Sequence, residues 1–341
     1  MKYNIVGMGN IGLRYLQSIL NNDENLEVMC YDISKNFEDK TYSFLSENSL
    51  ANKKINKINF SSSLELLEDS TDNETIVILA TTAEKREELI LKFAKKTPKL
   101  IVSEKLVCTS RESYLNLIKE LNEINYNDVL VNFFPRNQSF FWGLNSELQN
   151  NREFKMSVEI PRLGLACNGI HLIDIFLWLS GSYKYKYTER SFHHETYEQK
   201  RPGFYDFAGL IEIESKVNSS SLILRDDNSS PLMNLRDNNY GFEHYIDISF
   251  KNADDNTDKN YRYYMFDELL FTNDESTNDE KNYRGTNKCN LFHVSEYICN
   301  EIISYVEDGK CRLPNIFDAY HSHSVLFDFI EENNLGKFKI T

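Results

Sequence analysis

The chain opens on a short, mostly apolar run, Lys2 to Val6, and repeats a two-part pattern as far as about residue 132. Strand-like segments recur at Leu26 to Tyr31, Ile55 to Phe60, Thr75 to Ala80, Lys99 to Ser103 and Asp128 to Asn132. Between them, Ile11 to Leu20, Glu84 to Ala94 and Ser110 to Ile124 place apolar residues three and four apart, the period of a helix with one buried face. This alternation predicts a doubly wound parallel sheet with helices on both faces. After Asn132 the texture changes. Phe133 to Trp142 is aromatic and holds Pro135, and a helix is predicted from about Gly169 to Leu179. Gly209 to Glu214, Ser219 to Leu224 and Tyr245 to Phe250 then alternate as strands of a largely antiparallel sheet. Asn252 to Lys259 and Thr272 to Tyr283 are acidic and asparagine-rich and predict solvated loops, whereas Leu291 to Val306 and Ile316 to Asn333 predict two closing helices. The expected fold class is α/β, with a doubly wound domain over residues 1–125 and a second α/β domain, built on an open, largely antiparallel sheet, over residues 126–341.

Composition narrows the partners. With 341 residues and 41% apolar side chains the chain can bury a substantial core. Fifty-two acidic against thirty-eight basic residues give a net charge of -14, which repels phosphate backbones and anionic lipid surfaces and argues against nucleic acid and membranes as partners. The longest apolar run, Leu172 to Leu179, is interrupted by Asp174 and falls short of the roughly 18 residues of a membrane span. The N-terminus reads directly as a strand, without a secretory leader, so the expected location is cytoplasmic. Six scattered cysteines without a C-x-x-C pair suggest reduced thiols and no metal site.

Three constellations carry chemistry. The first is the turn Gly7-Met8-Gly9-Asn10-Ile11-Gly12, directly after the first strand. Glycines so spaced allow a tight strand-to-helix turn, backbone amides close to a pyrophosphate, and close packing of the helix whose N-terminus faces the anion. Asp32 ends the second strand 20 residues beyond Gly12, where a carboxylate accepts hydrogen bonds from an adenosine ribose. This makes the first domain a Rossmann candidate and favours NAD. NADP stays open, because Ser34 and Lys35 stand nearby. Thr81 and Thr82 follow the fourth strand, at the edge where open α/β sheets bind ligands, although a strand-ending turn is nearly as plain a reading. The second constellation is Ser103-Glu104-Lys105-Leu106 after the fifth strand. A lysine there can exchange a proton with a substrate hydroxyl, but spacing alone does not separate it from a solvated loop lysine. The third is Cys167-Asn168-Gly169-Ile170-His171-Leu172-Ile173-Asp174. His171 can shuttle a proton and Asp174, three residues on, can fix the helix or the ring, although spacing alone favours a structural histidine. The aromatics Phe133, Phe134, Phe140, Phe141 and Trp142, the alternating Tyr183, Tyr185 and Tyr187, and His193 with His194 read more simply as core or surface, and Arg201 as solvated or paired.

Taken together, in this order, the three pieces resemble the Gfo/Idh/MocA family of NAD(P)-dependent sugar oxidoreductases. Gly7 to Tyr15 is similar to the family's G-x-G-x-x-G-x-R-H, with tyrosine in the last place. Ser103 to Leu106 matches its E-K-P segment with leucine for proline, and Gly169 to Asp174 matches G-x-H-x-x-D. Asn132 to Arg136 looks like the segment that opens the family's second domain, and Leu313-Pro314 with Phe317-Asp318-Ala319 like its closing helix. The resemblance implies a Rossmann domain that holds the cofactor with Gly7, Gly9, Asn10, Ile11, Gly12, Asp32, Thr81, Thr82, Glu104 and Lys105. It implies Lys105 and His171 as catalytic residues; Lys105, His171 and Asn168 are expected around a sugar or nucleotide-sugar substrate, and Arg136 can meet a phosphate or carboxylate on it, although a solvated or paired arginine is the plainer reading. It also implies an open sheet that in the family often forms a dimer interface, so a homo-oligomer is among the expectations. One departure stands out: Cys167 occupies the place where the family usually carries an aspartate in D-x-G-x-H. Hydride transfer between nicotinamide and a sugar carbon is the leading expectation. The alternatives are an epimerase or glycosidase that uses bound NAD transiently, and an inactive NAD-binding sensor or assembly protein.

Overall fold

The computed structural model describes residues 1–23, 25–48, 50, 55–149, 153–160, 163–199, 201–226, 245–252, 256–264, 269–274, 281–284 and 298–340. Along the chain come β1 (Lys2–Val6), α1 (Asn10–Asn22), β2 (Glu27–Tyr31), α2 (Phe37–Glu47), β3 (Ile58–Phe60), α3 (Leu64–Asp69), β4 (Thr75–Leu79), α4 (Arg86–Ala94), β5 (Leu100–Glu104), α5 (Arg111–Glu123) and β6 (Val129–Asn132). There follow α6 (Ser139–Leu148), β7 (Phe154–Glu159), α7 (Ile170–Ser180), β8 (Tyr185–Glu198), β9 (Tyr205–Ser215), β10 (Ser221–Asp226), β11 (Tyr245–Lys251), β12 (Asp258–Tyr264), β13 (Leu269–Asp274), β14 (Lys281–Arg284), α8 (Ile298–Asp308) and α9 (Ile316–Glu332).

Two compact units result, the first comprising Met1–Asn137 with Val294–Tyr320 and the second Gln138–His293 with His321–Thr341. In the first, six parallel strands lie in the order β3-β2-β1-β4-β5-β6, the doubly wound order whose topological switch falls between β1 and β4. All five residues of β4 and all four of β6 are buried, as expected of strands covered on both faces. The anticipated boundary at 125/126 is therefore too early. β6 pairs with β5 from Ile101↔Val129 to Glu104↔Asn132, and Val131 N–H donates to Pro314 O at 2.9 Å, so the sheet ends only with β6 and draws in a later segment. Asn132 to Arg136 accordingly closes the first unit.

In the second unit, eight strands run in the order β14-β13-β12-β11-β7-β10-β9-β8. The pairings are antiparallel except β7 with β10. Helix α7 is apolar almost all round, and ten of its eleven residues are buried. The aromatic stretch before it is packing. Phe140 stacks on Tyr263 at 4.9 Å and meets Tyr261 edge-on, and Phe141 packs on the same Tyr263. Tyr185 and Tyr187 donate to Asp328 of α9, and Tyr183 stacks on His321. The expected loop at 272–283 is partly strand, since 272–274 belong to β13 and 281–283 to β14, while 275–280 lie outside the described residues. Polar strands at the end of an antiparallel sheet lack the apolar alternation that reveals a half-buried strand. Residues 291–297 of the first closing helix, Cys289 and the side chain of His194 likewise lie outside the described residues.

Helix α5 begins at an N-cap serine, where Ser110 Oγ accepts from Ser113 N–H at 3.2 Å. Ser110→Ala is expected to cost about 1 kcal/mol in denaturant unfolding, the usual worth of such a cap. Unchanged stability would show that this helix end is held by packing alone.

Candidate functional site

The carboxyl edge of the parallel sheet gathers the expected residues of the first unit. Gly7 leaves β1 with φ +95, and a Cβ there would lie 2.8 Å from the Ala80 backbone beyond β4. A Cβ on Gly12 would lie 1.9 Å from Gly7 O, so α1 sits directly on the turn. Gly9 differs: nothing lies within 4 Å of its Cβ position. It is the N-cap of α1, no side chain caps that helix end, and the first turn carries no acidic residue. Gly9, Asn10 and Ile11 are exposed. The positive end of a thirteen-residue helix with open amides and a bare backbone before it is a cradle for an anion, so the residues present fit a dinucleotide pyrophosphate.

Asp32 follows β2, half-buried. Its Oδ2 accepts Met8 N–H of the glycine turn at 2.7 Å and its Oδ1 accepts Ser34 N–H at 2.8 Å. A carboxylate has about four acceptor positions, which leaves capacity for ribose hydroxyls beyond these two bonds. Thr81 and Thr82 stand after β4, and Thr81 Oγ1 donates to Thr82 O at 3.1 Å. Glu104 ends β5, where its carboxylate accepts Tyr15 Oη at 2.7 Å and Asn132 Nδ2 at 2.8 Å. Lys105 follows it, half-buried, with the Lys105–Leu106 peptide cis. Arg136 is buried in the short helical turn Phe134–Asn137 after β6.

Asn168 and His171 belong to the second unit. His171 is 6% exposed on α7, and Ser322 Oγ donates to the buried Asp174 at 3.0 Å, so that carboxylate anchors the helix. A single π-helical turn, Leu165–Gly169, precedes α7, with the N–H groups of Asn168 and Gly169 both donating to Gly164 O. Asn168 Nδ2 donates to Leu163 O at 2.6 Å and braces the same turn. Arg201 lies over the Phe204 ring at 5.3 Å.

Two buried carboxylates on neighbouring strands hold this turn, and local sequence gave no sign of them. Asp206 of β9 accepts Ala166 N–H, Cys167 N–H and its neighbour Phe207 N–H at 2.8 to 2.9 Å, and Gln199 Nε2 at 3.3 Å. Asp226 of β10 accepts Gly164 N–H at 2.8 Å and Tyr197 Oη at 2.6 Å. Gly164 has φ +80, and a Cβ there would lie 2.4 Å from Asp206 Oδ2, so only glycine fits. Burial pushes the Tyr197 phenol far up, reinforced by Asp206 and Asp226, and keeps it a donor. Burial likewise raises the Asp206 carboxyl to about 6; its backbone donors oppose the rise and Asp226 adds to it. None of the five cysteines among the described residues is in a disulfide, and these residues contain no cluster of metal-ligand type. No helix among them is long and apolar enough to cross a membrane.

No protein-family model matches the sequence, and no curated protein sequence matches it. Solved structures do match along nearly the whole chain. A dehydrogenase (MviM) from Clostridium difficile superposes with a TM-score of 0.67 at 16% identity, covering 97% of this chain and 99% of its own. Myo-inositol dehydrogenase from Lactobacillus casei, solved with NAD(H) and myo-inositol, gives 0.67 at 14% identity over 96% and 93%. The fold is that of the Gfo/Idh/MocA-type dehydrogenases. The fold also serves other substrates: biliverdin reductase from Synechocystis sp. PCC 6803, solved with biliverdin and NADP+, gives 0.66 at 11% identity over 97% and 98%.

The raised Asp206 pKa has a definite sign in stability. The folded state holds this proton more tightly than an exposed aspartate of pKa about 3.9, so the group's contribution is full below about pH 4 and is lost as pH rises through about 6. The loss amounts to about 3 kcal/mol. Asp206→Asn cannot ionise, so its deficit against the native chain is expected to shrink as the pH of denaturant unfolding is raised from about 4 to about 7.5. A deficit that grows with pH would show that the amide donors favour the ionised form.

Proposed function

We propose that the protein is an NAD(P)-dependent oxidoreductase that moves a hydride between nicotinamide and a carbinol or ketone carbon of a sugar, sugar acid or nucleotide-linked sugar. The observation that carries the reading is the open, uncapped N-terminus of α1, framed by Gly7, Gly9 and Gly12, with the Asp32 carboxylate at the end of the adjacent strand. The dehydrogenases that share the fold, one of them solved with NAD(H) and a polyol, support it.

Nicotinamide, when bound, accepts or supplies the hydride at C4. The chain's part is to bind, orient and handle the proton. Backbone amides at Gly9, Asn10 and Ile11 receive the pyrophosphate, and Asp32 accepts the adenosine ribose hydroxyls. On oxidation, Lys105 Nζ takes the proton of the substrate hydroxyl as its carbon gives up the hydride, and returns it in the reverse direction. His171 shares that proton, while Arg136 and Asn168 orient the substrate. Thr81, Thr82 and Glu104 line the cofactor side. The working enzyme is cytoplasmic and bound to neither nucleic acid nor membrane, in keeping with its net charge of -14.

Lys105→Ala is expected to lower turnover on a reactive sugar by about 10² to 10⁴ while NADH binding persists. Unchanged turnover would remove the lysine from the mechanism. Asp32→Ala is expected to weaken NADH about tenfold or more in fluorescence titration and NADPH less, because the variant also relieves repulsion of a 2'-phosphate. Equal weakening of both would argue against Asp32 as the ribose partner.

A further inference from the structure

Arg86, the first residue of α4, is 2% exposed and reaches under the carboxyl edge of the sheet. Its guanidinium donates to three backbone carbonyls. Nη1 meets Glu104 O at 2.7 Å and also Leu106 O, and Nη2 meets Thr81 O. Two of these acceptors flank Lys105, and the third belongs to the strand-ending loop beside it. The titratable groups that act on the cation are the Glu104 carboxylate, the Tyr15 phenol, the Cys108 thiol and the Glu87 carboxylate, and Glu104 is itself engaged by Tyr15 Oη and Asn132 Nδ2.

A cation buried on carbonyls alone is a costly way to fill space that leucine or methionine fills without penalty. What arginine adds is a planar fork that satisfies three acceptors on two loops at once, which neither an apolar side chain nor a lysine ammonium can match. The adjoining sequence needs such a restraint. Position 106, proline in the E-K-P pattern, is Leu106, so a ring's fixed φ is absent at 106 and its steric limit on the preceding residue is absent at Lys105. Tyr15, standing where the G-x-G-x-x-G-x-R-H pattern has histidine, bonds to the Glu104 carboxylate. Two departures from the patterns thus fall on residues 104–106, one at Leu106 itself and one at the Glu104 carboxylate, and Arg86 holds the backbone of the same segment.

We propose that Arg86 is a positioning residue for Lys105: by holding the carbonyls on either side of it, the guanidinium sets where the lysine amine stands. The inference rests on the assignment of Lys105 to proton handling. The test compares Arg86→Lys, which keeps the charge and loses the fork, with the native chain and with Lys105→Ala. Hydrogen exchange of the backbone amides at 104–107 is expected to quicken about tenfold or more, with the rest of the sheet unchanged. With NADH and the reactive member of a sugar panel, kcat is expected to fall about tenfold to a hundredfold and its pH profile to shift, while the NADH dissociation constant and the sugar KM stay within about threefold. Native-like exchange at 104–107 overturns the proposal, and so does quickened exchange with an unchanged kcat and pH profile. If no sugar in the panel reacts, the exchange result alone decides. Should Arg86→Lys fail to fold, Arg86→Gln is read by the same measurements. Full turnover in Lys105→Ala would refute the proton-handling assignment itself, whereas an inactive Lys105→Ala beside a fully native-like Arg86→Lys would refute only the role of Arg86.

Discussion

Irregular backbone that is buried must find partners for its amides and carbonyls, and both segments assigned here to chemistry are built around that constraint. In the first unit the loops after β4 and β5 present carbonyls inward, and a buried arginine donates to three of them. In the second unit the turn before α7 presents amides inward, and two buried aspartates accept from Gly164, Ala166 and Cys167. The solutions mirror each other, cation to carbonyls and carboxylates to amides. Each buried polar group left unmatched costs about 1–3 kcal/mol, so losing either hub would affect several bonds together.

The two hubs differ in how they respond to pH. Burial pulls the Arg86 guanidinium down to about 10, which still leaves it charged through the physiological range. Burial brings Asp206 up to about 6, within reach of neutrality, so its charge state changes under ordinary conditions. The loop that carries Lys105 therefore sits on a fixed charge, whereas the turn leading to His171 sits on one that titrates.

Local pattern was enough to find the parallel sheet, the glycine turn and Asp32, because each depends on neighbours a few residues away or on strict alternation of strand and helix. α2 and α3 carry no clear pattern of their own, and the ends of β12 to β14 read in part as loops because Asp258, Lys259, Thr272 to Asp274 and Lys281 to Tyr283 are mostly polar and show no apolar alternation. The hubs were invisible for another reason. Arg86 meets carbonyls 18 and 20 residues ahead and 5 behind, and Asp206 meets amides 39 and 40 residues behind, so their partners are backbone atoms with no residue identity to read. An arginine at a helix start looks like a surface charge until the sheet edge is assembled around it. The boundary at 125/126 falls before a strand that the alternation itself predicts, Asp128 to Asn132, and the pairing of β6 with β5 places that strand in the first sheet.

Cys167 is best judged against this framework. The residue departs from the pattern in its side chain, yet its amide is one of those held by Asp206, at 2.9 Å. Backbone at that position is set by β9 and by the glycine at 164, neither of which depends on what position 167 carries. A thiol there alters the chemistry offered by the turn without removing the bonds that bring the chain into α7 and to His171. The same fold is found with myo-inositol in one structure and biliverdin in another. Side chains mounted on a backbone held this way can change while the scaffold stays, so what distinguishes this chain's substrate has to be sought at such positions and not in the sheet order.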